Sequence, residues 1–487
     1  MVKKLRVYFF QYLVVVFIII NYPFSARARV SSENVWLDLG QSLKQGIESI
    51  LKDPLFRNVA VGIVIQSVDE NEPLYALNPY KPLIPASAIK IVPSIVALEK
   101  LGPDYRFKTP IMTDGTIKDS TLFGNLYFIG RGDPALLHSD IDKAVAEIKA
   151  LGINKIEGNI VYDVSFFDEE KNRFAPLARN LYAPPCALSV DYNSIELVLK
   201  DDQFNPQLGL MHKTSYASLH CDIRLSPSNK PGRPQMTYQE FPSGDHYFIS
   251  GVISRWERKY HYLCLGVSRP GLYAATLLHE SCSSAGIEIL GSIKQESAPE
   301  GLALLTEIES IPLRKIIQIM NQESNNVIAA VLTKNLGALF ISQPGTRDMG
   351  IAVIKGYCSD TIGIPFHEIM MKDSYGLSDN NRILATHFIK VLNCVYLNTN
   401  KEIRDLFIAS LSRQHALVDN ISLYLKSGTL SVRGVDTVVG YIKMNTIDKV
   451  FSLAIVTNRL QPGPMTYSGT LTDPILQSIK DIFEKGY

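Results

Sequence analysis

The tetrad Ser87-Ala88-Ile89-Lys90 constrains this 487-residue chain more than any other segment. It stands between Pro85 and the apolar run of residues 91–98, a pattern that predicts the start of a buried helix. Residues three apart share a face of a helix, so Lys90 is expected beside the Ser87 hydroxyl. A lysine can serve as the base that activates a serine nucleophile. We therefore expect Ser87 and Lys90 to form a catalytic pair.

The Ser-x-x-Lys pattern occurs a second time, at Ser49-Ile50-Leu51-Lys52, so the pattern alone does not identify a catalytic pair. It falls on the polar side of a predicted amphipathic helix, where an exposed serine and lysine need no function. The same reading, a capped helix with an exposed lysine, is the alternative for Ser87. As a base, Lys90 must be neutral, whereas a free lysine has a pKa near ~10.4. Burial and a second cation, for which Lys426 is the candidate, would lower that pKa.

Ser324-Asn325-Asn326 follows where the helical pattern breaks. There Ser324 would relay a proton to a leaving amine, and the Asn326 amide would hold a peptide group of the substrate. The alternative is a polar helix cap, since serine and asparagine favour that position. Ser378-Asp379-Asn380 fits the same pattern. We prefer Ser324 because predicted helices flank it on both sides.

Lys426-Ser427-Gly428-Thr429 ends a predicted strand that includes residues 423–425. We expect an edge strand next to the nucleophile, because an extended peptide can pair with its backbone. Lys426 would supply charge, and Gly428 would leave room for the substrate. The Ser427 and Thr429 hydroxyls would bind a carboxylate, and the Thr429 N–H would complete an oxyanion hole with the Ser87 N–H. The alternative is an ordinary strand end.

The first 28 residues are typical of an export signal. A basic start is followed by the apolar residues 7–20, and Ala26-Arg27-Ala28 offers a cleavage site after Ala28. The alternative is an uncleaved anchor at the membrane surface, because residues 7–24 approach the length that spans a bilayer. Both readings place the rest of the chain outside the cytoplasm, in the periplasm or cell envelope.

The composition excludes several function classes. Hydrophobic residues make up 46% and charged residues 20%, as in soluble globular proteins. A formal net charge of +1 with no basic stripe argues against a nucleic-acid partner. The six cysteines lie far apart, and no CxxC or HExxH motif occurs, so we expect no metal and no cofactor. Neither the disulfide pairing nor the oligomeric state can be predicted.

The length predicts two or three domains. A strand-like run at residues 59–66 and three more near the C-terminus, followed by a final helix, predict an α/β (α+β) domain whose antiparallel sheet is covered by helices. Between residues 109 and 308 the pattern changes, and residues 126–162 predict a βαβ unit. No segment of that region looks catalytic.

Taken together, these motifs resemble the exported D-alanyl-D-alanine carboxypeptidases/endopeptidases of the class C low-molecular-mass penicillin-binding proteins. Pro85-Ala86-Ser87-Ala88-Ile89-Lys90 is similar to the PAS-x-x-K motif of that family. The likeness runs from about residue 35 to the end of the chain. It also covers Gly124-Asn125-Leu126-Tyr127 with Gly132-Asp133-Pro134, the segment from Gly158-Asn159-Ile160-Val161 to Asp168, and Asp373-Ser374-Tyr375-Gly376-Leu377-Ser378.

The resemblance implies a penicillin-binding/β-lactamase-like transpeptidase domain at residues 29–108 and 307–487, split by a two-part insertion at residues 109–306. It implies that Ser87 is the acyl-ester nucleophile, Lys90 its proton acceptor and Ser324 the proton relay. The substrate would be a peptidoglycan stem peptide, cleaved at a D-Ala–D-Ala or D-Ala–meso-diaminopimelate bond, and β-lactams would trap the enzyme. The substrate-binding residues would be Asn326, Lys426, Ser427, Gly428 and Thr429.

Two departures from the family pattern keep alternatives open. Pro93 follows Ser87 by six residues, and a mid-helix proline would cost ~3 kcal/mol or kink the helix. Gln322-Glu323 replace lysines that are common before the S-x-N motif. One alternative is a catalytically degenerate protein that binds cell-wall peptides. Another is a β-lactamase, which fits the motifs but not the long insertion.

Overall fold

The computed structural model describes residues 24–70, 72–170, 183–200, 207–226, 235–254, 263–398, 400–415, 420–445, 447–461 and 470–485. Most of the predicted export signal therefore lies outside the described residues. No helix within these ranges is long and apolar enough to cross a membrane. The described α-helices are α1 Phe24–Leu51, α2 Ile91–Leu101, α3 His138–Ala150, α4 Pro270–Ser284, α5 Leu313–Gln322, α6 Asn326–Phe340, α7 Arg347–Tyr357, α8 Ala385–Asn398, α9 Lys401–Ser410 and α10 Asp473–Lys485.

The strands of the described residues form five sheets. They are β1 Val59–Ser67, β2 Tyr75–Leu77, β3 Lys108–Thr113, β4 Thr116–Lys118, β5 Thr121–Phe123, β6 Leu126–Ile129, β7 Lys155–Ile156, β8 Ile160–Asp163, β9 Ser194–Lys200, β10 Gln207–Leu210, β11 Ala217–Ser226, β12 Gln235–Phe241, β13 Gly244–Ser254, β14 Leu263–Gly266, β15 Glu288–Ile289, β16 Ile293–Gln295, β17 Ala303–Glu309, β18 Ser412–His415, β19 Ile421–Leu430, β20 Val435–Met444 and β21 Lys449–Arg459.

One of two compact units comprises residues 1–85, 382–398 and 413–487. Its sheet has the strand order β18-β19-β20-β21-β1-β2. The neighbours from β19 to β2 are antiparallel. Strands β1, β20 and β21 are rich in valine and isoleucine, whose branched side chains favour strands. Because β1 pairs with β21, the two ends of the chain build one sheet.

Helices cover both faces of this sheet. On one face, apolar side chains of α1 and α10, spaced three or four residues apart, pack on the strands. These side chains are Leu39, Leu43, Ile47, Ile475, Ile479 and Phe483. Helix α8 contacts β1 and β21. It lies on the other face of the sheet, because a Cβ atom on Gly62 of β1 would lie 3.8 Å from the Ala385 Cβ atom of α8. The predicted α/β (α+β) class, with an antiparallel sheet covered by helices, is confirmed.

The other unit comprises residues 86–381 and 399–412. Its helix α2 contacts α5, α6, α7 and α9 and so lies at the centre of a helical cluster. Every residue from 91 to 98 of α2 is buried. A helix that is apolar on all sides is stable only where neighbours surround it. The apolar run after Lys90 thus packs the turn that carries Ser87 against a buried helical core.

Four smaller sheets lie between residues 108 and 309 of this unit. Strands β6 and β8 are parallel and joined through α3, which confirms the predicted βαβ unit. Strand β3 pairs with β17, so that Thr109 lies opposite Ile308 and the two ends of this region meet. The domain boundaries at residues 109–306 stay a prediction.

Two local expectations are wrong. The place of Ser310 before a run with helical spacing predicts a helix cap, but α5 begins after Pro312. The Ser310 Oγ atom instead accepts a hydrogen bond from the Phe107 N–H at 2.9 Å. The strand that carries Lys426 is not an edge strand, because β18 lies on its other side. Since β18 has 4 residues and β19 has 10, β18 can pair with only part of that strand.

Candidate active site

Ser87 lies in the 3₁₀ helix Ala86–Lys90, which continues directly into α2. The sequence predicts an α-helix that opens at Ser87, but the α-helix begins at Ile91. Side chains three residues apart eclipse each other in a 3₁₀ helix, so Lys90 is brought over Ser87 more directly than in an α-helix. The Lys90 Nζ atom lies 2.8 Å from Ser87 Oγ.

Lys90 is completely buried, and carbonyl oxygens hold its amino group. Nζ donates to Asn326 Oδ1 at 2.6 Å and to the main-chain oxygen of Tyr375 at 2.8 Å. Ser324 Oγ lies 3.5 Å from the same nitrogen. Carbonyl oxygens can only accept, whereas a hydroxyl can both donate and accept. The Ser87 hydroxyl can therefore exchange a proton with Nζ while both carbonyl contacts persist.

Ser324-Asn325-Asn326 forms the junction between α5 and α6. Ser324 has a left-handed backbone with φ of 57°, which turns the chain between the helices. Asn325 caps α6, because its Oδ1 accepts a hydrogen bond from the Ile328 N–H at 3.0 Å. The middle residue of the motif is thus a helix cap, and the residues on either side contact Lys90.

The rival motif Ser378-Asp379-Asn380 lies in a different local structure. The Ser378 Oγ atom accepts a hydrogen bond from the Asn380 N–H at 3.2 Å, which closes a short turn. The Ser378 N–H donates to the Asp373 carboxylate. Of the two matches, Ser324-Asn325-Asn326 is the one for which the structure gives hydrogen bonds to Lys90.

The main-chain oxygen of Tyr375 is a contact that sequence reasoning missed. Its loop is organised by the buried Asp373 carboxylate, which accepts hydrogen bonds from the N–H groups of residues 375, 376 and 378 and from the side chain of Asn381. Gly376 has φ of 89°, and a Cβ atom there would lie 2.0 Å from the Ala86 oxygen. Only glycine permits this approach to the turn that carries Ser87.

A buried chain of polar side chains fixes the helices around Lys90. Ser94 Oγ donates to the Lys90 main-chain oxygen at 2.7 Å and lies 3.1 Å from Asn321 Oδ1. Asn321 Nδ2 donates to Ser410 Oγ at 2.9 Å. The three side chains are buried and join α2, α5 and α9. Because an unsatisfied buried polar group costs ~1–3 kcal/mol, this chain holds α2 and α5 in one arrangement.

Pro93 does not interrupt the helix that follows Ser87 and Lys90. Pro93 is the third residue of α2 and therefore lies in its first turn rather than in mid-helix. N–H groups of the first turn have no partner within an α-helix, so the predicted kink or cost does not arise. Gln322 and Glu323 are exposed at the end of α5. The chain thus carries a carboxylate directly before Ser324.

Residues 426–429 lie in β19 of the sheet-containing unit. Lys426 and Gly428 are buried, whereas Ser427 and Thr429 are exposed, as the alternation of side chains in a strand requires. Two hydroxyls therefore stand on one face of the strand. Burial lowers the pKa of Lys426 to about 8. Its Nζ donates to the Ser427 main-chain oxygen at 2.7 Å.

Known proteins resemble this chain in both sequence and fold. It is 24% identical to the D-alanyl-D-alanine carboxypeptidase DacB of Haemophilus influenzae over 347 residues, which cover 70% of this chain and 72% of that protein. It is 26% identical to a D-alanyl-D-alanine carboxypeptidase of Actinomadura sp. strain R39 over 370 residues, 72% of this chain and 67% of the relative.

Two crystal structures of penicillin-binding protein 4 from Haemophilus influenzae share the fold. One has a TM-score of 0.74 and 23% sequence identity, and the match covers 90% of this chain and 98% of the other. The second, a complex with a β-lactam, has a TM-score of 0.71 and 22% identity over the same shares of the chains. These likenesses confirm the predicted penicillin-binding type of fold.

A sequence model of the D-Ala-D-Ala carboxypeptidase 3 (S13) family matches residues 43–463. The matched stretch contains all three motifs, at residues 87–90, 324–326 and 426–429. Together with the two relatives, it confirms the enzyme class predicted from the sequence, a serine-type D-alanyl-D-alanine carboxypeptidase. The chain belongs to the D-Ala-D-Ala carboxypeptidase 3 (S13) family.

Proposed function

We propose that the chain cleaves peptidoglycan stem peptides through an acyl-enzyme at Ser87, as a D-alanyl-D-alanine carboxypeptidase, a DD-endopeptidase or both. The observation that carries this proposal is the fully buried Lys90 amine, 2.8 Å from Ser87 Oγ. Family membership and two relatives named as D-alanyl-D-alanine carboxypeptidases support it. One similar structure is a complex with a β-lactam, which supports β-lactams as inhibitors of this chain.

In the proposed acylation step, neutral Lys90 takes the Ser87 proton while Oγ attacks the carbonyl carbon of the penultimate D-alanine. The two N–H bonds to Asn326 Oδ1 and Tyr375 O keep Nζ in place as it becomes an ammonium. Ser324 Oγ, 3.5 Å from Nζ, then gives its proton to the leaving amine and takes up the proton from the Lys90 ammonium, which becomes neutral again. The C–N bond breaks, and the acyl group stays on Ser87 as an ester. Water hydrolyses that ester and restores the Ser87 hydroxyl.

The proposed substrate contacts divide between two motifs. The Oδ1 atom of Asn326 binds Lys90, so we assign the substrate peptide group to Nδ2 of the same side chain. The exposed hydroxyls of Ser427 and Thr429 would bind the C-terminal carboxylate, to which protonated Lys426 adds positive charge. Gly428 would leave the strand surface accessible to a peptide.

Export to the periplasm or cell envelope, with cleavage after Ala28, is part of the proposal. It rests on the basic start, the apolar run and the small-residue site within residues 1–28. Protein recovered from the envelope is then expected to begin at Arg29. An N-terminus that retains residues 1–28 would instead establish an anchor and overturn cleavage.

A protein that binds cell-wall peptides without turnover is the second candidate. One reason for it was a proline in the middle of the helix that carries Lys90, but Pro93 lies in the first turn of α2. The other reason is the Glu323 carboxylate, which is adjacent in sequence to Ser324. A β-lactamase would share the Ser87 chemistry but release the penicilloyl group rapidly.

Ser87→Ala is expected to abolish release of D-alanine from diacetyl-L-Lys-D-Ala-D-Ala, because no acyl-enzyme can form. Lys90→Met should lower kcat by roughly 10²–10⁴-fold, the usual contribution of a positioned base. Ser49→Ala, in the exposed second tetrad, is the matched control and should retain full activity. Undiminished activity of Ser87→Ala would refute the assignment, and an inactive but folded wild-type chain would favour the binding protein.

Asn321→Leu is expected to reduce kcat/KM by roughly 10²-fold, because a small displacement of α2 against α5 misaligns Lys90 and Ser324. It should also lower the free energy of unfolding by ~0.5–1.5 kcal/mol, the net contribution of the lost hydrogen bond from Asn321 Nδ2 to Ser410 Oγ. Gln318→Leu, on the surface of the same helix, is the control. Peptidase kinetics and urea unfolding measure the two effects. A destabilised Asn321→Leu with unchanged kcat/KM would contradict the positioning role.

Substrate binding is expected to weaken as the pH rises through about 8, the pKa to which burial lowers Lys426. Below that pH the ammonium attracts the substrate carboxylate, and above it the charge is lost, so KM should rise. In Lys426→Arg the charge persists, since the pKa of arginine exceeds ~12, and KM should stay level in this range. A rise of KM that is identical in Lys426→Arg would assign the titration to another group.

A further inference from the structure

Two histidines outside the proposed active site face each other on the three-stranded sheet β11-β13-β12. His220 is in β11 and His246 is in β13, which are adjacent and parallel, with His220 opposite Phe248 and Ser218 opposite His246. Residues two apart in a strand share a face, so both imidazoles stand on the same side of the sheet. His220 is exposed and His246 is half-buried, which leaves the pair accessible to solvent.

The distance between the two rings suits a shared metal ion. His220 Nε2 and His246 Nδ1 lie 3.5 Å apart, and the ring centroids lie 5.5 Å apart, so the nitrogens are on facing edges. A separation of 3.5 Å exceeds the ~2.7–3.2 Å typical of hydrogen bonds from N–H donors. Zinc binds histidine nitrogen at ~2.0–2.1 Å, and two such bonds span this gap at an N–Zn–N angle of about 115°. That angle is close to tetrahedral, the usual geometry of zinc.

Aromatic neighbours fix the orientation of both imidazoles. Phe248 stacks on His220 with centroids 4.8 Å and planes 11° apart. Phe241 packs on His246 with centroids 4.1 Å apart. The hydrogen-bonded strands set the spacing between the two backbones. Ligands on regular strands, held by packed neighbours, lose little freedom when a metal binds.

We propose that His220 and His246 form a surface site for a divalent transition-metal ion, with Zn²⁺ as its occupant. Imidazole is a favoured ligand of zinc, and water would fill the remaining coordination positions. The described part of the chain has no group of three or more His, Cys, Asp or Glu that could hold a metal. The site is therefore a two-histidine chelate, and it is independent of the proposed peptidase activity.

The test is titration of Zn²⁺ into the untagged, chelator-stripped chain in competition with a chromophoric chelator, with Co²⁺ absorption as a second probe. Affinity should fall at least about tenfold in His220→Gln and in His246→Gln. His367→Gln removes an exposed histidine elsewhere and should leave it unchanged.

Far-UV circular dichroism in the presence of chelator establishes that each variant is folded. Loss of affinity in both variants and not in the control supports the site. Equal zinc affinity in all three variants, or no zinc binding by the folded wild-type chain, overturns it. Peptidase activity of the metal-free chain is measured beside the titration, so that zinc binding and the proposed enzyme activity are tested independently.

Discussion

The contact between the buried Lys90 amine and the Ser87 hydroxyl is the interaction on which the proposed chemistry depends. An amino group in an apolar helical core is unfavourable unless its hydrogen bonds are satisfied. Here two carbonyl oxygens, from Asn326 and Tyr375, satisfy it while leaving the Ser87 hydroxyl as a partner that can exchange a proton. The same contacts that stabilise the buried lysine therefore direct it at the Ser87 hydroxyl.

Three segments that are distant in sequence hold this arrangement. The 3₁₀ turn presents Ser87 and Lys90, the break between α5 and α6 presents Ser324 and Asn326, and the loop around Asp373 presents a main-chain oxygen. Each segment is fixed by its own buried contacts rather than by the substrate. Such preorganisation lets polar groups act without reorganising during the reaction, which is a major source of catalytic power.

The contacts of Lys90 with Ser87 and Ser324 could be predicted from sequence, because residue type and the order of the motifs indicate them. The pairing of Ser87 with Lys90 and the preference for Ser324 depend on local helix geometry. In the structure, Lys90 contacts both Ser87 and Ser324. The Tyr375 oxygen could not be predicted, because a main-chain contact leaves no residue-type signal. The place of Pro93 in the first turn of α2 could not be predicted, because the point where a 3₁₀ helix becomes an α-helix cannot be read from the sequence. Asn321–Ser410 and His220–His246 meet only through tertiary packing and strand pairing.

Mapping a covalent adduct tests whether Ser87 is the nucleophile that Lys90 activates. The intact wild-type chain is treated with labelled penicillin, digested and analysed by tandem mass spectrometry. We expect one penicilloyl group per chain, on the peptide that contains Ser87, formed far more slowly in Lys90→Met. An adduct on another residue, or a folded chain that forms none, would contradict it.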